Sequence, residues 1–110
     1  MNTDLETEVL QLHAEICAGL ADPSRIMILY ELSSNPRNVT ELTAGLKMLQ
    51  PMVSRHLKVL RDRGMVVAER QGAVVLYTLA DKRLIQALDL LRAVLRDGLT
   101  RRAALAGVIA

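Results

Sequence analysis

The stretch that decides the fold is Gln50 to Gly64, QPMVSRHLKVLRDRG. It reads as one helix with a marked start and stop. Pro51 suits the first helical turn, where its missing N–H costs nothing and its φ is already near the helical value. Gly64 can take the left-handed conformation that ends a helix. Val53, Leu57 and Leu60 recur at helical spacing and predict a buried stripe. Met52, Ser54, Arg55 and Lys58 fall away from that stripe, on polar and cationic faces. Arg61 and Arg63 flank Asp62 near the end, where cations favour the helix macrodipole. Alone, the stretch is equally an amphipathic surface helix with a solvated face.

Its neighbours decide between the two. The short helix TELTAGLK, 40–47, comes just before, and two strands come just after. Helix, turn, helix and hairpin in that order make a winged helix-turn-helix, in which the second helix enters the major groove of DNA. The expected fold class is therefore mainly α with a two-stranded β-wing, a dimeric winged helix-turn-helix.

Outward from this centre, Asn2 to Gly19 is a helix with Leu5, Val9, Leu12, Ile16 and Leu20 on one stripe and Leu10, His13 and Cys17 beside it. So broad an apolar arc can face both its own domain and a second subunit. Ala21 to Asn35 is the next helix, with Asp22 as N-cap and Pro23 at the first position. Ser33, Ser34, Asn35 and Pro36 end it with turn chemistry. Thr40 is the expected cap of the short helix. Met65 to Arg70 and Val74 to Leu79 are the strands, with Gln71-Gly72 as the tight turn between them. Asp81 to Asp97 is a long helix with Leu84, Leu88, Leu91 and Leu95 on one stripe. Gly98 is a candidate end, and the tail TRRAALAGVIA either extends that helix or forms a short one of its own.

The chain has 110 residues, which predicts a single domain over 1–110. The hydrophobic share is 51%, with two Tyr and no Phe or Trp, so the core must be aliphatic. A core this small makes dimerisation a natural source of further burial. The formal net charge is only +2, but it is unevenly spread. Asp4, Glu6, Glu8, Glu15 and Asp22 precede the first Arg. The middle carries Arg37, Lys47, Arg55, Lys58, Arg61, Arg63 and Arg70 against Glu41, Asp62 and Glu69. A basic centre behind an acidic leader suits a nucleic-acid face on one side. Cys17 is the only cysteine, which excludes an intrachain disulfide and any two-cysteine motif within one chain. With neither a secretory signal nor an apolar run long enough for a membrane, the expectation is a cytoplasmic protein without a membrane partner.

The runs LADPSRIMILYEL (20–32), QPMVSRHLKVLRDRGMV (50–66) and ERQGAVVLYTL (69–79) together resemble the ArsR family of bacterial winged-helix repressors. The resemblance implies a homodimer that binds double-stranded DNA and is built on its first and last helices. It places Gln50, Ser54, Arg55, His56 and Lys58 against DNA, with Arg70 as the main cation of the wing. Three departures stand out. Leu49 replaces the usual capping Ser or Thr, a loss of about 1 kcal/mol. Ala73 stands where family wings often carry a cation, so the wing contact should be weak. Neither familiar metal site of the family is present either: the Cys-x-Cys positions are Asn38 and Thr40, and the last helix has no His.

Enzyme signatures are missing, and no cofactor-binding pattern is present. Two further readings stay open. His13 and Cys17, spaced i, i+4, could sense a metal or a thiol reagent across a dimer, although cysteine there more often packs as a small hydrophobe. The chain could also be a winged-helix protein-interaction module without DNA binding.

Overall fold

Apolar burial on three short helices organises the chain. In the computed structural model, which describes residues 3–109, the elements run α1 (Thr3–Leu12), α2 (Pro23–Leu32), α3 (Val39–Leu46), α4 (Gln50–Asp62), β1 (Val66–Gln71), β2 (Val74–Leu79) and α5 (Arg83–Ile109). A single wide π turn, His13–Cys17, continues α1, with the Ala18 amide donating to the His13 carbonyl. Ile28, Leu29 and Leu32 of α2, Leu42 of α3, and Val53, Leu57 and Leu60 of α4 form the buried core. Met65, Val66 and Leu88 close it. Every one of these side chains is aliphatic, as the lack of Phe and Trp requires.

The helix ends follow local chemistry. Asp22 caps α2, its carboxylate accepting from the Ser24 amide at 2.8 Å. α3 is capped by Asn38, not by the expected Thr40. Asn38 accepts from the Glu41 amide at 2.8 Å, and the Glu41 carboxylate accepts from the Asn38 amide at 3.0 Å. This reciprocal pair satisfies two orphan donors at once, which a lone threonine two residues later cannot do. α4 ends in a Schellman motif: Met65 N–H returns to the Leu60 carbonyl, Gly64 N–H returns to that of Arg61, and Gly64 has φ +72°. α3 ends differently, on Lys47 at φ +54°. A residue with a Cβ there costs about 1–2 kcal/mol.

The wing is antiparallel, in register from Val66↔Leu79 to Gln71↔Val74. Gln71 is therefore inside the strand and the two-residue turn is Gly72-Ala73, one position later than expected. Positive φ at Gly72 (+64°) suits the first central residue of such a turn. Arg37, ahead of α3, exchanges two backbone hydrogen bonds with Tyr77 of β2, at 3.1 and 2.8 Å. That bridge ties the root of the wing to the start of the helix-turn-helix.

α5 begins on Asp81, whose carboxylate accepts from the Arg83 amide (2.9 Å) and guanidinium (2.7 Å). It does not stop at Gly98. The helix runs through it to Ile109, so the tail extends α5 and the whole spans roughly 40 Å. A mid-helix glycine costs about 1 kcal/mol, too little to end a helix by itself. The Tyr30 hydroxyl of α2 donates to Asp89 of α5 at 2.7 Å, and Arg92 lies over the Tyr30 ring. Of the predicted α5 stripe, Leu88 is buried and Leu84 half-buried, but Leu91 and Leu95 are exposed. On α1, Leu5, Val9, Leu10 and Leu12 are exposed as well. Among the described residues, no helix is long and apolar enough to cross a membrane.

The start of α5 gives the fold an acid sensitivity. Hydrogen bonds from the Arg83 side chain and amide hold the Asp81 carboxyl at about 2, below its ordinary 3.8. A depressed carboxyl stabilises the fold above its unfolded value, and that contribution is lost as pH falls through the folded value. The thermal midpoint should fall between pH 3.8 and about 2. Asp81→Asn should be less stable at neutral pH and show a shallower fall across that window in a melting series.

Candidate nucleic-acid interface

α4 turns one face in and one face out. Val53, Leu57 and Leu60 are each 0% exposed, while Gln50, Met52, Ser54, Arg55 and Lys58 are exposed. The helix thus presents amide, hydroxyl, guanidinium and ammonium groups along one side. This set suits nucleic acid, because Arg can bond guanine bidentately, Gln can bond adenine, and Ser and Lys serve bases or phosphates. Lys58 is held by Asp62, one turn on, at 2.9 Å. This hydrogen bond from Lys58 lowers the Asp62 carboxyl below its usual range. Both side chains are well exposed, so the pair is weak and Lys58 can exchange it for a phosphate.

The first turn of α4 has no side-chain cap, as Leu49 foretold. Leu49 is the N-cap, and it is 71% exposed. The Met52 and Val53 amides reach back to the Leu49 carbonyl, at 3.0 and 3.1 Å, and close the turn through the backbone. Pro51 has no N–H, so within this turn the Gln50 amide is the donor left for an anion.

His56 does not join the outward set. Its side chain is 12% exposed and lies against α2, with Nδ1 3.4 Å from Arg25 Nη1 and Nε2 3.9 Å from Asp22. Arginine can only donate, so Nδ1 accepts and the ring proton of the neutral form sits on Nε2, toward Asp22. The hydrogen bond from the Ser24 amide, with the nearby Arg25 guanidinium, lowers the Asp22 carboxyl. Arg25 itself donates to the carbonyls of Gly19 (2.8 Å) and Ala18 (3.2 Å) beyond the π turn. At the other end of α4, Arg63 donates to the carbonyls of Ala14 and Glu15. Arg63 thus fastens the end of the first helix to the recognition helix directly, and Arg25 fastens it to α2 and, through His56, to the recognition helix. Sequence reasoning passed over Arg25. The signal was there: Arg25 and Glu31 are the only charges in PSRIMILYEL.

Arg70 is exposed on β1, opposite Val75, and is the wing's cation. His13 and Cys17 are both exposed on the π turn within one subunit, on the helix expected to meet a second copy. Among the described residues, no three His, Cys, Asp or Glu side chains converge on one point. A metal at His13 and Cys17 would need ligands from a second copy. Asn38 and Thr40 supply no thiolate, and α5 supplies no imidazole.

Comparison with known proteins agrees with this geometry. The sequence model of the bacterial regulatory protein, arsR family, matches residues 22–67. The HTH-type transcriptional regulator NmtR of Mycobacterium tuberculosis is 40% identical over 85 residues, 77% of this chain and 71% of NmtR. The chain belongs to the ArsR family. Another relative in this family comparison, the HTH-type transcriptional repressor SmtB of M. tuberculosis, is 46% identical over 77 residues. That match covers 70% of this chain and 57% of SmtB, so the chain spans little more than half of that relative. Among solved structures, the homodimeric winged helix-turn-helix DNA-binding domain Mb0332 of Mycobacterium bovis superposes with TM-score 0.75. It is 26% identical, with 89% of this chain and 91% of that one covered. The ArsR family is one of regulators rather than enzymes.

The arginine clamp makes a stability prediction. Arg25→Met should remove the donors to two half-buried carbonyls and cost about 1–3 kcal/mol. Urea unfolding should show a lower midpoint at an unchanged slope. An unchanged midpoint would mean that water replaces the guanidinium without loss.

Proposed function

We propose that this chain is a cytoplasmic transcriptional repressor that binds an operator as a homodimer, with α4 in the major groove. The observation that carries the reading is the outward face of α4, where Ser54, Arg55 and Lys58 stand away from a fully sealed stripe and Gln50 is exposed at the helix start. Arg55 reads a base, Lys58 and Arg70 meet phosphates, and the uncapped first turn of α4 gains a partner on DNA. His56 acts from behind this face, through Arg25 and Asp22. The exposed Leu90, Leu91, Val94, Leu95 and Leu99 of α5, with Leu5 and Val9 of α1, are more apolar surface than a small monomer leaves wet. A second copy covers them, and the two recognition helices then meet half-sites about 34–36 Å apart.

The test is a gel shift against the DNA upstream of the chain's own gene, with sedimentation in parallel. The expected results are a dimer at micromolar concentration and a complex that weakens steeply with salt. Arg55→Ala should cost about 1–3 kcal/mol of operator affinity with an unchanged circular dichroism spectrum. A well-folded monomer that shifts no DNA would instead favour a protein-interaction module.

A second reading is favoured by the exposure of Cys17, a free thiol one turn from His13. A direct response to zinc or to a thiol-reactive metalloid would run through these two residues, since the sequence has no other cysteine and only one other histidine. Titration with zinc and arsenite should release wild type from its operator and leave Cys17→Ser bound. Release that persists in Cys17→Ser would rule this sensor out.

A further inference from the structure

We propose that Lys47 is a phosphate contact on DNA, kept in the turn of the helix-turn-helix against the preference of the backbone. The assignment rests on the DNA-binding reading above. Three described residues have positive φ: Gly64, Gly72 and Lys47. The chain uses glycine at two of these left-handed positions and departs from it only at the third. The left-handed backbone of Lys47 closes α3, with the Lys47 and Met48 amides both donating to the Thr43 carbonyl, but a glycine would make the same bonds without the Cβ cost. The Lys47 side chain is exposed, and its ammonium has no hydrogen-bond or ion-pair partner among the described residues. A helix end calls for this backbone conformation but not for a lysine in it, so it is the choice of side chain that points to function.

Its position supplies the function. Lys47 ends α3, and only Met48 and Leu49 separate it from Gln50, the first residue of α4. Three residues of chain span at most about 11 Å. The major groove is about 12 Å wide, and both of its walls are phosphate backbones. A helix that enters the groove by its first turn carries Lys47 alongside one wall. The flexible four-carbon stem of lysine suits a point-charge contact of this kind. One bland explanation competes, since a cation at the C-terminus of α3 also favours the helix dipole.

The two explanations differ in what glycine does. If the lysine serves DNA, Lys47→Gly should relieve the backbone and raise the thermal midpoint by a few degrees. Binding to a labelled duplex of random sequence, read by anisotropy at several salt concentrations, should weaken. The slope of log affinity against log salt should shrink by about 0.9 for each chain bound. Lys47→Gln should weaken binding in the same way, and Lys47→Arg should retain it. Arg102→Gln, a charge change of the same size on the distal part of α5, should leave the slope as it is. An unchanged slope in both neutral variants, with wild type bound, overturns the assignment. So does an equal loss of slope in Arg102→Gln, which would reduce the effect to net charge. A lower thermal midpoint for Lys47→Gly with an unchanged slope assigns the lysine to the end of α3 instead. If wild type fails to bind the duplex even at low salt, the DNA-binding reading fails first and takes this assignment with it.

Discussion

The sealing of one stripe of α4 sets the aim of the recognition helix. Successive helical residues are about 100° apart, so Val53, Leu57 and Leu60 share a side only at one rotation of the helix. All three are fully buried. A turn of one residue would carry Ser54 and Lys58 into an aliphatic core with no partner for them, at the cost of burying unpaired polar groups. The same contacts that hold the domain together therefore decide which side chains face outward. No separate device is needed to orient Arg55.

Apolar contact fixes the rotation of α4 but tolerates sliding, because it has little directional preference. Polar contacts supply the direction. Arg25 and Arg63 sit near opposite ends of the helix pair, and each donates to backbone carbonyls around the π turn. His56 completes the first of the two clamps. A histidine within SRHLK is thus part of the support of the reading face, set behind the residues that do the reading.

Much of this was legible in the sequence because its signals are local. The sealed stripe of α4, the Asp22 cap, the paired strands and the final glycine of α4 all follow from spacing and turn chemistry. The misses were competitions between neighbouring signals. Thr40 is a good cap, but Asn38 with Glu41 three residues on is a better one. Gln71-Gly72 and Gly72-Ala73 both place the glycine in the turn, and only strand register separates them. Gly98 looked like a stop, yet the leucines on either side of it favour one continuous helix. The inward turn of His56 and the exposure of Cys17 depend on what packs across from them, which spacing along one helix does not encode. The π turn left no sequence mark that we can identify.

The aliphatic core has an optical consequence. With no Trp and no Phe, the near-ultraviolet signal of this chain comes from two rings. Tyr30 stands between α2 and α5, hydrogen-bonded to Asp89 and covered by Arg92. Tyr77 stands at the root of the wing, where its backbone pairs with Arg37. The two tyrosines are therefore built-in spectroscopic probes of two separate regions. A single Tyr→Leu exchange at either leaves the other as a label-free reporter, one for the α2–α5 seam and one for the hairpin.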